Sequence, residues 1–316
     1  MASFESFLWV ALLANLLLGV ANIIAKNILA NKLQDAMAFY YLQAASAIPI
    51  FFSAAILLEE FQVDVEVLII SAISAIFVSI GYFFFFFGLR HEDVSIGGSI
   101  TSSSRIPLAL ILGFLVFGEF YGFEILLLIG LIFFGALLTS ISEDLPLRSL
   151  LSPRNRGAII FFSAALFWAL SNTVIRAGRA TADPLTLLFL RQVFIFLILL
   201  ILYPLVFETL GGDPNSFRDR IKIFQALKWI CLYNLVLVIA IGGVFYALGF
   251  SLSLTEAMSP MEGVMSLILA VVISRIRKEV VQESHSPKIY TIRALGMLIV
   301  VISVGMLLVF DPQEGN

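Results

Sequence analysis

Arg105 and Glu262 each stand in the middle of a long apolar run, where a solitary charge is out of place. If those runs cross a bilayer, a charge at mid-depth costs about 2.5–3.5 kcal/mol even on the gentlest insertion scale. It is retained to meet a partner or a substrate. In one reading Arg105 and Glu262 form a salt bridge that pins two helices together, permanently or as a gate. In another they bind opposite ends of a zwitterion, the planar guanidinium taking a carboxylate and Glu262 an ammonium. A third has the desolvated Glu262 carry a coupling proton.

Further polar groups surround this pair in sequence. Thr101 and Ser102 precede Arg105 by one helical turn and share its face. Ser99, Ser103 and Ser104 extend that polar turn, although small hydroxyl residues also serve close helix packing. Asn22 and Asn172 are central in their runs and either line a cavity or bond between helices. Arg191 either receives an anionic substrate or pairs with Glu256. Tyr82, Asn234 and Tyr246 are candidate wall residues, whereas Lys26 and Arg176 stand near helix ends, where snorkelling accounts for them. Pro107 cannot bond the carbonyl of Ser103, and in a continuous helix Pro260 leaves that of Glu256 free.

Other chemistries lack their groups. Cys231 is the single cysteine, so neither an internal disulfide nor a cysteine metal cluster forms, and His91 and His285 both fall in polar breaks. There is no His-Glu-x-x-His pattern and no Gly-x-x-x-x-Gly-Lys phosphate loop. A serine nucleophile near Arg105 has no neighbouring base. An intramembrane enzyme is therefore not expected, and no cofactor is expected beyond a coupling proton. A channel would favour rings of like charges rather than single unlike ones. A non-transporting membrane scaffold is the remaining alternative.

The elements that position these residues follow from composition. The chain has 316 residues, 60% hydrophobic and 13% charged, whereas soluble domains run at about 45–50% and about 25%. The excess has to face lipid. Apolar runs near 6–28, 36–58, 66–89, 94–118, 123–141, 157–178, 184–207, 229–250, 253–274 and 291–310 predict ten membrane-spanning helices. The fold class expected is thus an all-α integral membrane protein, multi-pass in the cell membrane. Arg105 then lies roughly 16 Å into the fourth span and Glu262 roughly 14 Å into the ninth from the other side. Its partners are the lipid bilayer and a small-molecule substrate, as a monomer or a homodimer. A net charge of −3 offers no basic patch for nucleic acid.

Lys and Arg divide unequally between the two sides. Of the 19, 15 fall at loops after odd-numbered spans, only Arg176 and Arg179 on the opposite side, and Arg105 and Arg191 inside spans. The positive-inside rule places the crowded loops in the cytoplasm and both termini outside.

The chain also repeats itself. Ala21-Asn22-Ile23-Ile24-Ala25-Lys26 matches Ser171-Asn172-Thr173-Val174-Ile175-Arg176, Asp35 and Gln43 match Asp183 and Arg191, and Glu119 matches Glu279. Gly130 and Gly296 open similar stretches of the last span in each half. Residues 1–150 and 151–316 are thus two five-helix repeats, and an odd number of crossings inverts the second relative to the first. Inverted repeats let a chain open to either side by exchanging the conformations of its halves.

This pattern resembles the drug/metabolite transporter superfamily, specifically its ten-helix EamA-type exporters. The resemblance rests on the two five-helix halves, on Gly19 to Lys26 with its counterpart ending in Arg176, and on the segment Ser95 to Glu119. That segment carries Pro107 and Phe117-Gly118-Glu119, and Gly130 to Gly135 follows it. In the second half Ser274-Arg275-Ile276-Arg277-Lys278-Glu279 replaces the usual apolar-Gly-Glu ending, and Pro260 sits earlier than its counterpart. The resemblance implies export of amino acids or related metabolites, with sugars, nucleotide derivatives and drugs as the alternative substrate classes, and cytoplasmic termini, the reverse of the Lys/Arg distribution.

Overall fold

The computed structural model describes residues 4–29, 33, 36–58, 61, 63–88, 94–141, 156–206, 220–276 and 286–309. Glu279, His91, His285 and the cationic stretches 142–155 and 277–285 lie outside the described residues. Among those described every regular element is helical: α1 (Phe4–Ile28), α2 (Ala36–Leu58), α3 (Val65–Gly88), α4 (Val94–Phe117), α5 (Phe123–Thr139), α6 (Arg156–Gly178), α7 (Pro184–Val206), α8 (Arg220–Leu248), α9 (Leu252–Ala257), α10 (Pro260–Ile276) and α11 (Pro287–Val309). Among the described residues, nine stretches are long and apolar enough to cross a membrane, α9 and α10 together supplying one of them, and α5 is a shorter apolar helix.

Lipid explains why helices prevail. A spanning backbone has no water to bond, so each segment satisfies its own amides. Hydroxyls inside the apolar runs do the same: Ser46 donates to the Leu42 carbonyl at 2.7 Å, Ser163 to Ile159 at 2.9 Å and Thr173 to Ala169 at 2.8 Å. Large apolar side chains such as Leu13, Ile111, Leu115, Ile201, Ile239 and Leu298 are exposed on the outer surface, which suits hydrocarbon and would be a liability in water.

The helices interleave. Helix α1 packs along α8 and α10, α3 along α6 and α7, α4 along α6, α2 along α7 and α8, and α5 along α11. One apolar core joins α1, α5 and α11 through Leu8, Ile129, Ile132, Val300 and Leu307. A second joins α2, α7 and α8 through Phe51, Leu187, Leu188 and Phe245. Glycine permits the closest crossings. A Cβ on Gly135 would lie 2.8 Å from the Gly296 carbonyl oxygen, and one on Gly296 would lie 2.7 Å from that of Gly135. Gly130, which the sequence pairs with Gly296, faces open space instead. At the α1–α10 crossing, a Cβ on Gly19 would lie 2.7 Å from the Glu262 carbonyl, and Ser266 donates to the Gly19 carbonyl at 3.2 Å.

Two predicted elements differ from those observed. Helix α8 begins at Arg220 rather than near 229. Its first turns carry Arg220, Lys222, Gln225 and Lys228 and so read as a polar break in the sequence, yet Ala226 and Ile230 are buried against Leu33 and Phe39 while Phe224 and Lys228 are exposed. The ninth span is broken between Ala257 and Pro260. Because the chain turns there, the Glu256 carbonyl is not left free as a continuous helix would leave it. It accepts the Ser259 amide at 3.0 Å.

Candidate functional site

The break in the ninth span brings two carboxylates to one guanidinium. Arg105, from the middle of α4, lies with Nη1 3.6 Å from Glu256 Oε2 and Nη2 3.6 Å from Glu262 Oε2. Each acid is also held by an asparagine. Asn22 of α1 donates its amide to Glu262 Oε1 at 2.7 Å, and Asn172 of α6 donates to Glu256 Oε1. The guanidinium stands 5.7 Å over the Trp168 ring, and its Nε finds no acceptor among the described residues. Glu256 is 3% exposed and Glu262 22%. The first belongs to the protein wall, and the second faces open space.

That space is a cavity of about 590 Å³. Its walls come mainly from α1, α2, α3, α4, α6, α7, α8 and α10, represented by Asn22, Tyr40, Tyr82, Arg105, Trp168, Arg191, Phe245 and Glu262, with Thr139 of α5 and Arg293 of α11 at one end. From the triad it runs toward the helix ends that carry Lys26, Thr139, Ala270 and Arg293. The lining is mostly apolar and aromatic in area, with polar and charged side chains set into it.

Beyond the triad, on the opposite side, a second polar cluster closes the bundle. Glu119 follows α4 and accepts the amides of Leu252 at 2.8 Å and Ser253 at 3.1 Å, so its carboxylate caps the start of α9. It also accepts the hydroxyls of Ser253 at 2.5 Å and Tyr121 at 2.7 Å. Burial pushes the Tyr121 phenol up, so it stays protonated and donates. Arg176, at the end of α6, pairs with Glu119 and stacks 4.3 Å over Phe117. Sequence alone assigned Arg176 to snorkelling; its partner is instead a carboxylate inside the protein, 7% exposed.

The residues singled out by sequence divide as follows. Arg105, Glu262, Ser102, Asn22, Asn172, Arg191 and Tyr82 line the cavity. Thr101 is buried, and Tyr246 packs against Phe250 with ring centres 5.5 Å apart; neither is part of the lining. Gln43 lines the cavity and bonds Asn234 at 3.0 Å. Glu256 pairs with Arg105, not with Arg191, which stacks 4.4 Å over Phe245. Sequence reasoning missed the part of Glu256 in the triad and that of Trp168 beneath it. An acid six residues before Glu262 was the available signal, but it sits on another face of an unbroken helix.

Fold and site together define a multi-pass helical membrane protein with a charged cavity among its helices. No protein-family model matches the chain, and no curated protein matches it in sequence. A solved structure described only as "Crystal structure of protein" superposes on it with a TM-score of 0.68, covering 99% of this chain and 100% of its own at 13% identity. At that identity the likeness speaks for the fold alone.

Proposed function

We propose that the chain is a secondary transporter, an exporter of small zwitterionic or carboxylate metabolites, working by alternating access between two inverted five-helix repeats of the EamA type. The observation that carries this reading is the one-sided cavity. It ends at a charged triad and is closed on the far side by the Glu119 cluster. A transporter caught open to one side has this arrangement.

Helix packing supports the two halves. Exchanging α1 with α6, α2 with α7, α3 with α8, α4 with α9 and α10, and α5 with α11 turns the α3–α6 contact into α8–α1. The same exchange turns α3–α7 into α8–α2 and α4–α6 into α10–α1, and it maps α2–α7 and α5–α11 onto themselves. Asn22 and Asn172, matched in sequence, hold the two acids of the triad. With the Lys- and Arg-rich side in the cytoplasm, the cavity faces inward, both termini lie outside, and the Glu119 cluster is the outer gate. Because one guanidinium faces two carboxylates, the triad retains a negative charge that a coupling proton or a substrate ammonium would offset.

Counterflow in proteoliposomes tests the function. Vesicles preloaded with amino acids or organic acids should accumulate the matching radiolabelled compound above empty-vesicle controls. Absence of counterflow for every amino acid and organic acid, with intact folded protein, contradicts the reading.

A further inference from the structure

The triad does not use every cation that lines the cavity: Lys26, Arg191 and Arg293 stand outside it. Arg191, on α7, is 6% exposed and lines the cavity. It stacks over the Phe245 ring at 4.4 Å, its principal electrostatic neighbours are the phenols of Tyr82 and Tyr40, and its Nε has no acceptor. Among the described residues its guanidinium meets no carboxylate and makes no hydrogen bond. Gln43, its match in the first half, is by contrast satisfied by Asn234, which returns a bond to the Gln43 carbonyl at 3.1 Å and another to Ser46 at 3.0 Å.

A buried guanidinium without a counter-ion is costly and persists where something else supplies the charge. The guanidinium lies over Phe245, and its N–H donors are coplanar, a fork that matches a flat two-oxygen acceptor. Arg105 is less suited to the task, since two carboxylates already flank it at 3.6 Å.

We propose that Arg191 is the subsite for the substrate's anionic group, and that this group is a carboxylate on a compound with an apolar body seated among the cavity's aromatic rings. Resting on the transport reading, this assigns the anion to Arg191 and leaves Glu262 to a cationic group or a proton.

Binding of 3-phenylpropionate and its neutral isostere 3-phenylpropionamide to purified protein in nanodiscs, by calorimetry, tests the assignment. The wild type should prefer the carboxylate. Arg191→Gln should weaken carboxylate binding by about 10- to 100-fold and leave the amide unaffected. Arg191→Lys should keep part of the preference. Because Arg191→Gln removes an uncompensated buried charge, the ligand-free variant should unfold at the wild-type temperature or above it. Three results overturn the proposal: no carboxylate preference in the wild type, the same preference in Arg191→Gln, or a lower unfolding temperature for that variant, which would make Arg191 a packing residue. Counterflow is scored separately. Flux with an unchanged preference in Arg191→Gln rejects the subsite but not transport, whereas Arg191-dependent binding without flux does the reverse.

Discussion

Arg105 illustrates how membrane burial changes the worth of a single residue. One guanidinium compensates two carboxylates, so removing it does more harm than removing either acid. Arg105→Met leaves Glu256 and Glu262 facing each other without a counter-charge. It should destabilise the protein by about 3–5 kcal/mol, the usual cost of stripping one partner from a buried pair. Glu262→Gln keeps the Glu256 pair and should cost clearly less. Thermal unfolding of the purified variants compares them, and equal losses would mean that Glu256 contributes little. The meeting of Arg105 with Glu262 was legible in sequence, because each lies at mid-depth of an apolar run. The role of Glu256 was not. Residues six apart on an unbroken helix point about 120° away from each other. Only the turn at Met258 and Ser259 brings both acids to one partner.

At the scale of the element, apolar runs and their polar breaks gave most helix bounds to within a residue or two, since lipid demands long uninterrupted segments. They failed where helix and span are not the same thing. The start of α8 is helical yet polar, stabilised by burying Ala226 and Ile230 rather than by hydrophobicity along its whole length. Helix crossings were less legible still, because a glycine in the sequence does not say which neighbour it meets. Gly135 and Gly296 cross with each backbone under 3 Å from the other's would-be Cβ, whereas Gly130 faces open space. Gly135→Val and Gly296→Val should therefore each force α5 and α11 apart and lower the unfolding temperature by several degrees. Gly130→Ala should be neutral or stabilising by up to about 1 kcal/mol, through lost freedom of the unfolded chain. Similar losses at Gly130 and Gly135 would contradict this crossing.

For the whole molecule, the two ends of the bundle are not alike. One end holds a cavity that reaches Lys26 and Arg293. The other is tied by Glu119, which bonds the start of α9, Tyr121 and Arg176 at once. No sequence pattern showed that Glu119 and Arg176 meet, because the residues are distant in the chain and join only when α4, α6 and α9 converge. Under the proposed transport reading the asymmetry belongs to one of two states, and in the other the Glu119 cluster opens and the opposite end closes. Gly263 is suited to detecting that exchange: it lines the cavity, and a Cβ added there meets nothing within 4 Å. With the free Cys231 replaced by serine, Gly263→Cys in oriented vesicles can be labelled with a membrane-impermeant maleimide from either side. Resting protein should label only from the side of Lys26 and Thr139. Adding a compound that supports counterflow, or introducing Glu119→Gln, should bring labelling from the opposite side as well. Labelling confined to one side under every condition would contradict alternating access.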